Sequence, residues 1–217
     1  AFAGSIRELF IVVIDLSPYQ QSDNQSPILA GEEMKLDAGT AHNLAQVGVL
    51  LNRQSRSGTF LVQDHHARCS YSTVPGLEVK PIAEALRTDP SFKEEVCWKL
   101  IQPDEDQITS TVANQPEPQG FYLRVKAGQK VRYPYQAALY LASANVAQSI
   151  HNVVLLEDGA ELELITGCLT HPQVQNGVHF AVTETYIGKG AKLTNIMVHS
   201  WSRGVIVRPR AATVVAE

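Results

Sequence analysis

The chain has 217 residues, enough for one large domain or two small ones. Charged residues make up only 18% of it, which suits a β-rich fold, and the formal net charge of −4 offers no basic surface for nucleic acid. No apolar run reaches membrane-spanning length, because Arg7, Glu8 and Asp15 interrupt the N-terminal apolar stretch, which also lacks the features of a signal peptide. The three cysteines are odd in number and widely spaced, so we expect no disulfide framework and a reducing, cytoplasmic setting. Neither nucleic-acid nor membrane partners are expected.

The first sixty residues are rich in turn-forming side chains. Residues 22–31 predict a loop, and residues 44–51 predict a short helix. Residues 52–58 predict a polar turn, and Thr59-Phe-Leu-Val62 after it predicts a strand.

The triplet Asp64-His65-His66 follows that strand. Aspartate–histidine clusters bind divalent metals in phosphoesterases of the DHH type, but such sites need several further aspartates to hold two metals. No Asp-x-Asp partner lies upstream, and adjacent histidines on a strand point to opposite faces. A structural role is therefore favoured over a metal-dependent hydrolase.

Residues 78–100 carry the clearest helix signals. Pro81 can start a helix over Ile82–Leu86, and Asp89-Pro90 provides an N-cap with proline at the first helical position. In the second helix, Phe92, Val96 and Leu100 would share one face. A loop rich in Asn, Gln and Pro follows at 114–119, so we place a boundary near residue 115, between an N-terminal α/β region (1–115) and a second region (116–217).

Three similar seven-residue blocks occur in the second region. They are Val125-Lys-Ala-Gly-Gln-Lys-Val131, Leu156-Glu-Asp-Gly-Ala-Glu-Leu162 and Ile187-Gly-Lys-Gly-Ala-Lys-Leu193, and their central glycines stand 31 residues apart. Around them apolar and polar residues alternate with a period near two. Short strands and glycine turns at a fixed period near thirty predict a parallel β-helix of about 31 residues per repeat. An antiparallel sandwich with evenly spaced turns is the less favoured alternative.

Cys168 is the candidate reactive residue of this region. It follows a predicted strand directly, and His199 lies 31 residues further on, so stacked coils would bring the thiol and the imidazole to neighbouring positions. A nearby imidazole can stabilise a thiolate, although a buried cysteine also serves simply as a small apolar residue. Cys97 is expected to pack in the core, and nothing connects Cys69 to chemistry. The chain lacks the phosphate-binding motifs of nucleotide sites, so we expect it to bind no nucleotide itself.

Several segments share their motifs with one family. They are Arg56-Ser-Gly-Thr-Phe60, the block from Gly76 to Leu100, Gly120 to Pro134, His151 to Ala160, Leu164-Ile-Thr-Gly-Cys168, His179 to Glu184, and Tyr186 to Ala191 running on to Val198-His-Ser-Trp201. In combination they resemble the SufB/SufD family of iron–sulfur cluster assembly proteins, over roughly residues 50–217.

The resemblance implies a right-handed parallel β-helix behind the α/β region. SufB members of the family are scaffolds, not conventional enzymes, on which iron and sulfide are built into a transient iron–sulfur cluster. The implied partners are a SufC-type ABC ATPase, a SufB- or SufD-type subunit as homo- or heterodimer, and a sulfur donor protein.

The resemblance also implies roles for three residues. A β-helix cysteine of SufB members, matched by Cys168, takes up sulfur and passes it through a tunnel whose Gln-Asn-Trp motif corresponds to His199-Ser200-Trp201. Cys168 would then accept sulfur, His199 would tune or relay it, and Trp201 would wall the passage. Because SufD members generally lack the Gly-Cys pair, this pattern favours a SufB-like subunit over a SufD-like structural subunit without a cluster site.

The chain departs from the SufB pattern in several places. His199 replaces the glutamine of the tunnel motif, and an arginine and an asparagine that line the tunnel align near Tyr140 and Ala142. The family's main cluster ligands lie beyond Glu217. The chain also begins without Met and shows no polar capping element after its last repeat, so we expect a fragment. The resemblance implies that it is the N-terminal and first β-helix portion of a SufB-like protein.

Overall fold

The computed structural model describes residues 13–21, 36–51 and 54–217. The loop predicted over 22–31 and part of the turn at 52–58 lie outside these residues, as do Arg7 and Glu8. The helices are α1 (Ala38–Gln46), α2 (Ile82–Thr88), a π-helical turn (Phe92–Val96) and α3 (Gln107–Ala113). The strands, in chain order, are β1 (Gly58–Gln63), β2 (His66–Ser72), β3 (Leu77–Pro81), β4 (Phe121–Val125), β5 (Tyr135–Leu141), β6 (Ala147–Leu156), β7 (Glu161–Thr170), β8 (Gly177–Ile187), β9 (Lys192–Ser200) and β10 (Val205–Val215).

The strands from β4 onward alternate between two facing sheets and form a parallel β-solenoid of about three turns. The first sheet has the order β2-β1-β5-β7-β9 and the second the order β10-β8-β6-β4-β3. Strand pairs β4–β6, β6–β8 and β7–β9 place residues 31 positions apart opposite one another, for example Leu162 and Leu193. The predicted period and the choice of a β-helix over an antiparallel sandwich are confirmed.

The repeated glycines make the turns between coils. Gly128, Gly159 and Gly190 have φ values of 70°, 67° and 65°, in the left-handed region that side chains disfavour. The backbone N–H of Gly159 donates to the carbonyl of Lys189, and that of Gly128 donates to the carbonyl of Asp158, so successive turns are hydrogen-bonded to each other.

Side chains that alternate along each strand fill the space between the two sheets. Leu139, Ile150, Val154, Leu164 and Cys168 belong to this interior core, and Phe60 of β1 joins it. Strands β1 and β2 precede residue 115, and β1 pairs in parallel with β5. The N-terminal region therefore contributes strands to the solenoid sheets, and the boundary near residue 115 stays a prediction.

Helices cover the outer faces of the sheets. Leu44, Val47 and Val49, in and just after α1, pack on Tyr140 and Leu169 of the first sheet. Ile108 and Val112 of α3 pack on Val178, Phe180 and Val182 of the second sheet. No helix in the described part of the chain is long and apolar enough to cross a membrane.

The helix predictions were only partly right. The helix after Pro81 and the strand over 59–62 are confirmed. The helix predicted over 44–51 runs instead from Ala38 to Gln46, because the Asp37 side chain caps its start by accepting from the Thr40 backbone N–H. The helix predicted from 90 to 100 stops at Val96, where Trp98 takes a φ of 57°. Helix α3, which starts with a capping box of Asp106 and Thr109, was not predicted.

Candidate functional site

Cys168 and His199 are Cα partners on the neighbouring strands β7 and β9. Cys168 belongs to the interior core cluster, and partners in parallel register point to the same side of a sheet. The His199 side chain therefore lies on the same face of the sheet as Cys168, one strand spacing of about 4.8 Å away. It is exposed, because β9 is the last strand of its sheet. The pairing predicted from their 31-residue spacing is present, while their chemical roles stay a prediction.

Burial keeps the Cys168 thiol neutral. The side chain is 1% exposed, and desolvation raises its pKa to about 12. Its partner on the other neighbouring strand is Leu139, which is also buried. An apolar neighbour does nothing to stabilise a thiolate, so a base or a conformational change is needed before this thiol can react as a nucleophile.

Gly167 explains how the Cys168 segment is held. A Cβ on Gly167 would press against Val47, whose methyl group and carbonyl oxygen lie 2.5 and 3.0 Å from that position. The chain after α1 therefore approaches the outer face of β7 at its one residue without a side chain. In the Gly-Cys pair, Gly167 faces outward and leaves room for this segment, and Cys168 faces inward with its thiol in the interior core.

His179 and Gln148 form a second polar pair inside the solenoid. They are partners on β8 and β6, and Nδ1 of His179 lies 2.8 Å from Oε1 of Gln148. The Gln148 amide also donates to the carbonyl of Asp64 at 2.8 Å. Burial, with a smaller effect from His199, lowers the pKa of His179 to about 3, so this imidazole stays neutral. His151 is likewise buried, with Nε2 2.8 Å from the Glu184 carboxylate.

Trp201 connects the two histidines at a corner between the sheets. Its ring centroid lies 4.8 Å from that of His179 and 6.1 Å from that of His199. The indole also packs against the core cluster that contains Cys168. Its N–H is buried and finds no hydrogen-bond partner among the described residues. The three predicted residues are thus gathered at one end of the solenoid interior, together with His179 and Gln148.

Tyr140 and Ala142 take no part in this interior cluster. Both belong to the outward apolar cluster under α1, and Tyr140 is the Cα partner of Leu169. The interior positions of β5 are instead filled by apolar side chains such as Leu139. Where the resemblance implies an altered tunnel lining, at Tyr140 and Ala142, the structure has an outward apolar surface under α1.

A cavity of about 150 Å³ opens outside the same corner. Asn43 and Gln46 of α1 form one wall, and Thr170, Ser200 and Ser202 form another. Trp201 lies between this cavity and the interior, because it lines the first and packs against the core of the second. None of the lining side chains is charged.

Glu184 is a buried charged residue that the sequence analysis passed over. Its side chain is 0% exposed and accepts hydrogen bonds from the consecutive backbone N–H groups of Trp98, Lys99, Leu100 and Ile101, at 2.6 to 3.3 Å. Nε2 of His151 lies 2.8 Å from the same carboxylate, and the Trp98 ring stacks on His151 at 4.2 Å. These contacts fasten the loop after the π-helical turn to the outer face of β8. They have a structural role.

The Asp64-His65-His66 triplet is not arranged as a metal site. The Asp64 carboxylate accepts from the backbone N–H groups of Ala142 and Ser143 and from the Ser143 hydroxyl. Nε2 of His65 lies 3.0 Å from the carbonyl oxygen of Ala147. Within the described ranges, no three His, Cys, Asp or Glu side chains are grouped to hold a metal ion. The triplet joins β1 to β2 and fastens that turn to the loop after β5.

Comparison with known proteins agrees with this architecture. Residues 139–217, which include Cys168, His199 and Trp201, match the family model described as SUF system FeS cluster assembly, SufBD core domain. The chain is 37% identical over 174 residues to an iron–sulfur cluster assembly SufBD family protein of Archaeoglobus fulgidus, covering 80% of this chain and 46% of that protein.

Two further relatives also match this chain. A SufBD family protein of Methanothermobacter thermautotrophicus (strain Delta H) is 34% identical over 177 residues, which is 80% of this chain and 43% of the relative. The iron–sulfur cluster assembly protein SufB of Bacillus subtilis is 24% identical over 143 residues, which is 65% of this chain and 30% of that protein. The chain spans less than half the length of these relatives. Its solenoid and its sequence together place it in the SufB/SufD family.

Proposed function

We propose that this chain is part of a SufB-type scaffold subunit that takes up sulfur for iron–sulfur cluster assembly. The observation that carries the proposal is the position of Cys168 inside the solenoid, with His199 on the adjoining strand and Trp201 at the corner. Family membership supports the broader role in cluster assembly. The protein acts as an assembly component rather than as a conventional enzyme.

Sulfur uptake is a thiol exchange. The Cys168 thiolate attacks the terminal sulfur of a donor persulfide, a new S–S bond forms on Cys168, and the donor thiolate leaves and takes up a proton. Because burial raises the pKa of Cys168 to about 12, its proton has to be removed by a neighbouring base. His199 is the candidate, since it is the partner of Cys168 on the same face of the sheet. His179, whose pKa is lowered to about 3, is far too weak a base for this step.

The cluster itself is the product that leaves this scaffold. Its main ligands are expected beyond Glu217, so Cys168 would supply sulfur to a site completed elsewhere in the protein. The proposed partners are a SufC-type ABC ATPase, a second SufB- or SufD-type subunit and a sulfur donor protein, acting together in the cytoplasm. This chain would bind no nucleotide, and the ATPase would provide that function.

A SufD-like structural subunit is the second candidate. The observations that favour it are the apolar contact with Leu139 and the raised pKa of Cys168, which describe a cysteine that only packs. Cys97 is the appropriate standard, because it is buried on the outer side and burial raises its pKa to about 12 as well. A Cys168 that is alkylated no faster than Cys97 in the folded protein would favour the structural subunit.

Reconstitution separates the two candidates. The longest native chain is expressed with its SufC-type ATPase and treated anaerobically with iron and a persulfide donor, and cluster absorption and iron content are measured. We expect Cys168→Ala to lower the cluster yield while leaving the fold intact, and the matched variant Cys97→Ala to retain the wild-type yield. An unchanged yield in Cys168→Ala would exclude the sulfur-acceptor role.

A further inference from the structure

The corner cavity described above has a composition suited to a small polar ligand. Asn43, Gln46, Thr170, Ser200 and Ser202 are the polar residues of its walls. The hydroxyls of Thr170 and Ser202 bond to each other at 2.9 Å, and Nε2 of Gln46 lies 3.1 Å from Nε2 of His42. No carboxylate lines it, so an anionic group meets no repulsion, and no cation lines it that would hold such a group permanently. Its volume of about 150 Å³ admits a group the size of a small side chain but not a folded segment.

The cavity lies next to Cys168. Thr170 is two residues beyond Cys168 on the same strand and therefore on the same face, and its hydroxyl lies 2.9 Å from that of Ser202. Trp201 stands between the cavity and the interior, where its ring meets His179. A movement of this one side chain would join the cavity to the space around Cys168.

The packing of Trp201 is compatible with such movement. Its indole N–H makes no hydrogen bond with the described residues, although it is shielded from solvent. A buried donor without an acceptor disfavours the closed position relative to one in which the N–H is satisfied. An acceptor atom in the cavity would provide the missing partner once the ring turns towards it.

We propose that this corner cavity is a lateral entrance to the solenoid interior, and that it binds the terminal persulfide group that delivers sulfur to Cys168, with Trp201 as the gate. This inference rests on the proposed sulfur-acceptor function and adds the route. Sulfur enters sideways between α1 and the ends of β7 and β9, instead of along the solenoid axis. The donor group reaches the cavity either as a small-molecule persulfide or at the tip of a flexible protein arm.

The first test measures access without relying on cluster assembly. Alkylation of Cys168 by iodoacetamide is followed by peptide mass spectrometry in the longest native chain, with Cys97 as the internal reference. Trp201→Ala should raise the Cys168 rate about tenfold, because access no longer waits for the ring to move. Gln46→Trp, which fills the cavity, should cancel that gain when it is combined with Trp201→Ala. Ala45→Trp is the matched control, because Ala45 is exposed on the same helix and does not line the cavity.

The combined variants decide between routes. If Gln46→Trp slows Cys168 no more than Ala45→Trp does in the Trp201→Ala background, the reagent enters elsewhere and the lateral entrance is wrong. Thermal melts by circular dichroism check that each variant is folded, and Trp201→Phe replaces Trp201→Ala if the latter unfolds.

A second measurement tests the ligand and its source. Cysteine persulfide and a twelve-residue Gly/Ser peptide that ends in a persulfidated cysteine are compared as donors to Cys168. Faster transfer from the cysteine persulfide identifies a small-molecule source, and faster transfer from the peptide identifies a flexible arm. In each case Gln46→Trp should block the transfer. Transfer that Gln46→Trp leaves unchanged would overturn the proposal.

The two proposals fail separately. A cluster yield that falls in Cys168→Ala, together with alkylation insensitive to Gln46→Trp, retains the acceptor function and rejects the entrance. Access that depends on Gln46, together with an unchanged yield in Cys168→Ala, leaves a cavity that leads to the interior and rejects persulfide as its ligand.

Discussion

Replacement of Glu184 by glutamine should weaken the attachment of the N-terminal region to the solenoid. In the wild type, Oε1 accepts from the N–H groups of Lys99, Leu100 and Ile101, while Oε2 accepts from Trp98 and lies beside His151. Glutamine keeps one acceptor oxygen but puts an NH2 group where the second stood, so two contacts to a charged oxygen are lost. At about 1.5 kcal/mol each, this predicts a loss of roughly 3 kcal/mol in the free energy of unfolding.

Urea denaturation followed by circular dichroism measures this loss, and hydrogen exchange locates it. The backbone amides of residues 98–101 should exchange faster in Glu184→Gln than in the wild type, while those of β6 and β7 keep their protection. Glu163→Gln is the matched control, because Glu163 is a partly exposed carboxylate on β7, and its effect should stay within about 0.5 kcal/mol. A loss in Glu184→Gln as small as in the control, or unchanged exchange at 98–101, would refute the reasoning.

The same residue gives a pH dependence. Burial acts to raise the pKa of Glu184, but the hydrogen bonds from His151 and from the backbone of Leu100 and Trp98 outweigh it and leave the pKa below its ordinary value. A carboxyl with a lowered folded-state pKa stabilises the protein above its unfolded pKa of about 4.3, and this contribution is lost as the pH falls through the lower folded value. The stability difference between the wild type and Glu184→Gln should therefore shrink below about pH 4.

Two further predictions follow from buried interior groups and from the turns. Burial lowers the pKa of His179 to about 3, so below about pH 6.5 the unfolded chain binds a proton at this residue and the folded chain does not. The free energy of unfolding should therefore decrease below that pH, by up to about 1.4 kcal/mol per pH unit. Thermal melts of His179→Gln should lack this part of the slope. Gly120→Ala should prevent folding or cost more than about 3 kcal/mol, since its φ is 118° and a Cβ would overlap the carbonyl of His151. Gly190→Ala, with a φ of 65° and open space around it, should cost only about 1 kcal/mol, and equal melting temperatures for the two variants would contradict this account.

Much of the solenoid was predictable because its repeat appears directly in the residues. The spacing of Gly128, Gly159 and Gly190 indicated both the turns and the register that pairs Cys168 with His199. The same arithmetic connects Gln148 to His179, also 31 residues apart, and would have revealed that pair had it been applied.

Other features depend on contacts between distant parts of the chain. The helix expected to reach Leu100 ends early because Glu184, 84 residues later, collects the backbone N–H groups that another helical turn would have used. The stacking of Trp201 on His179 joins the ends of strands in opposite sheets, and a linear period carries no information about corner geometry. The start of helix α1 had a local signal in Asp37, a residue type that favours the N-cap position. The apolar residues after Leu44 led instead to a helix predicted too far along the chain.

The antiparallel strands β2 and β3 have a consequence for how the chain finds its correct alignment. Each is the terminal strand of its sheet at the N-terminal end, β2 beside β1 and β3 beside β4. Successive parallel coils look alike, so a strand displaced by one whole coil would still meet apolar partners and a glycine turn. The antiparallel strands β2 and β3 pair with β1 and β4 and thereby mark which coil is first. Every later coil, including the one that carries Cys168, stacks in chain order on that first coil.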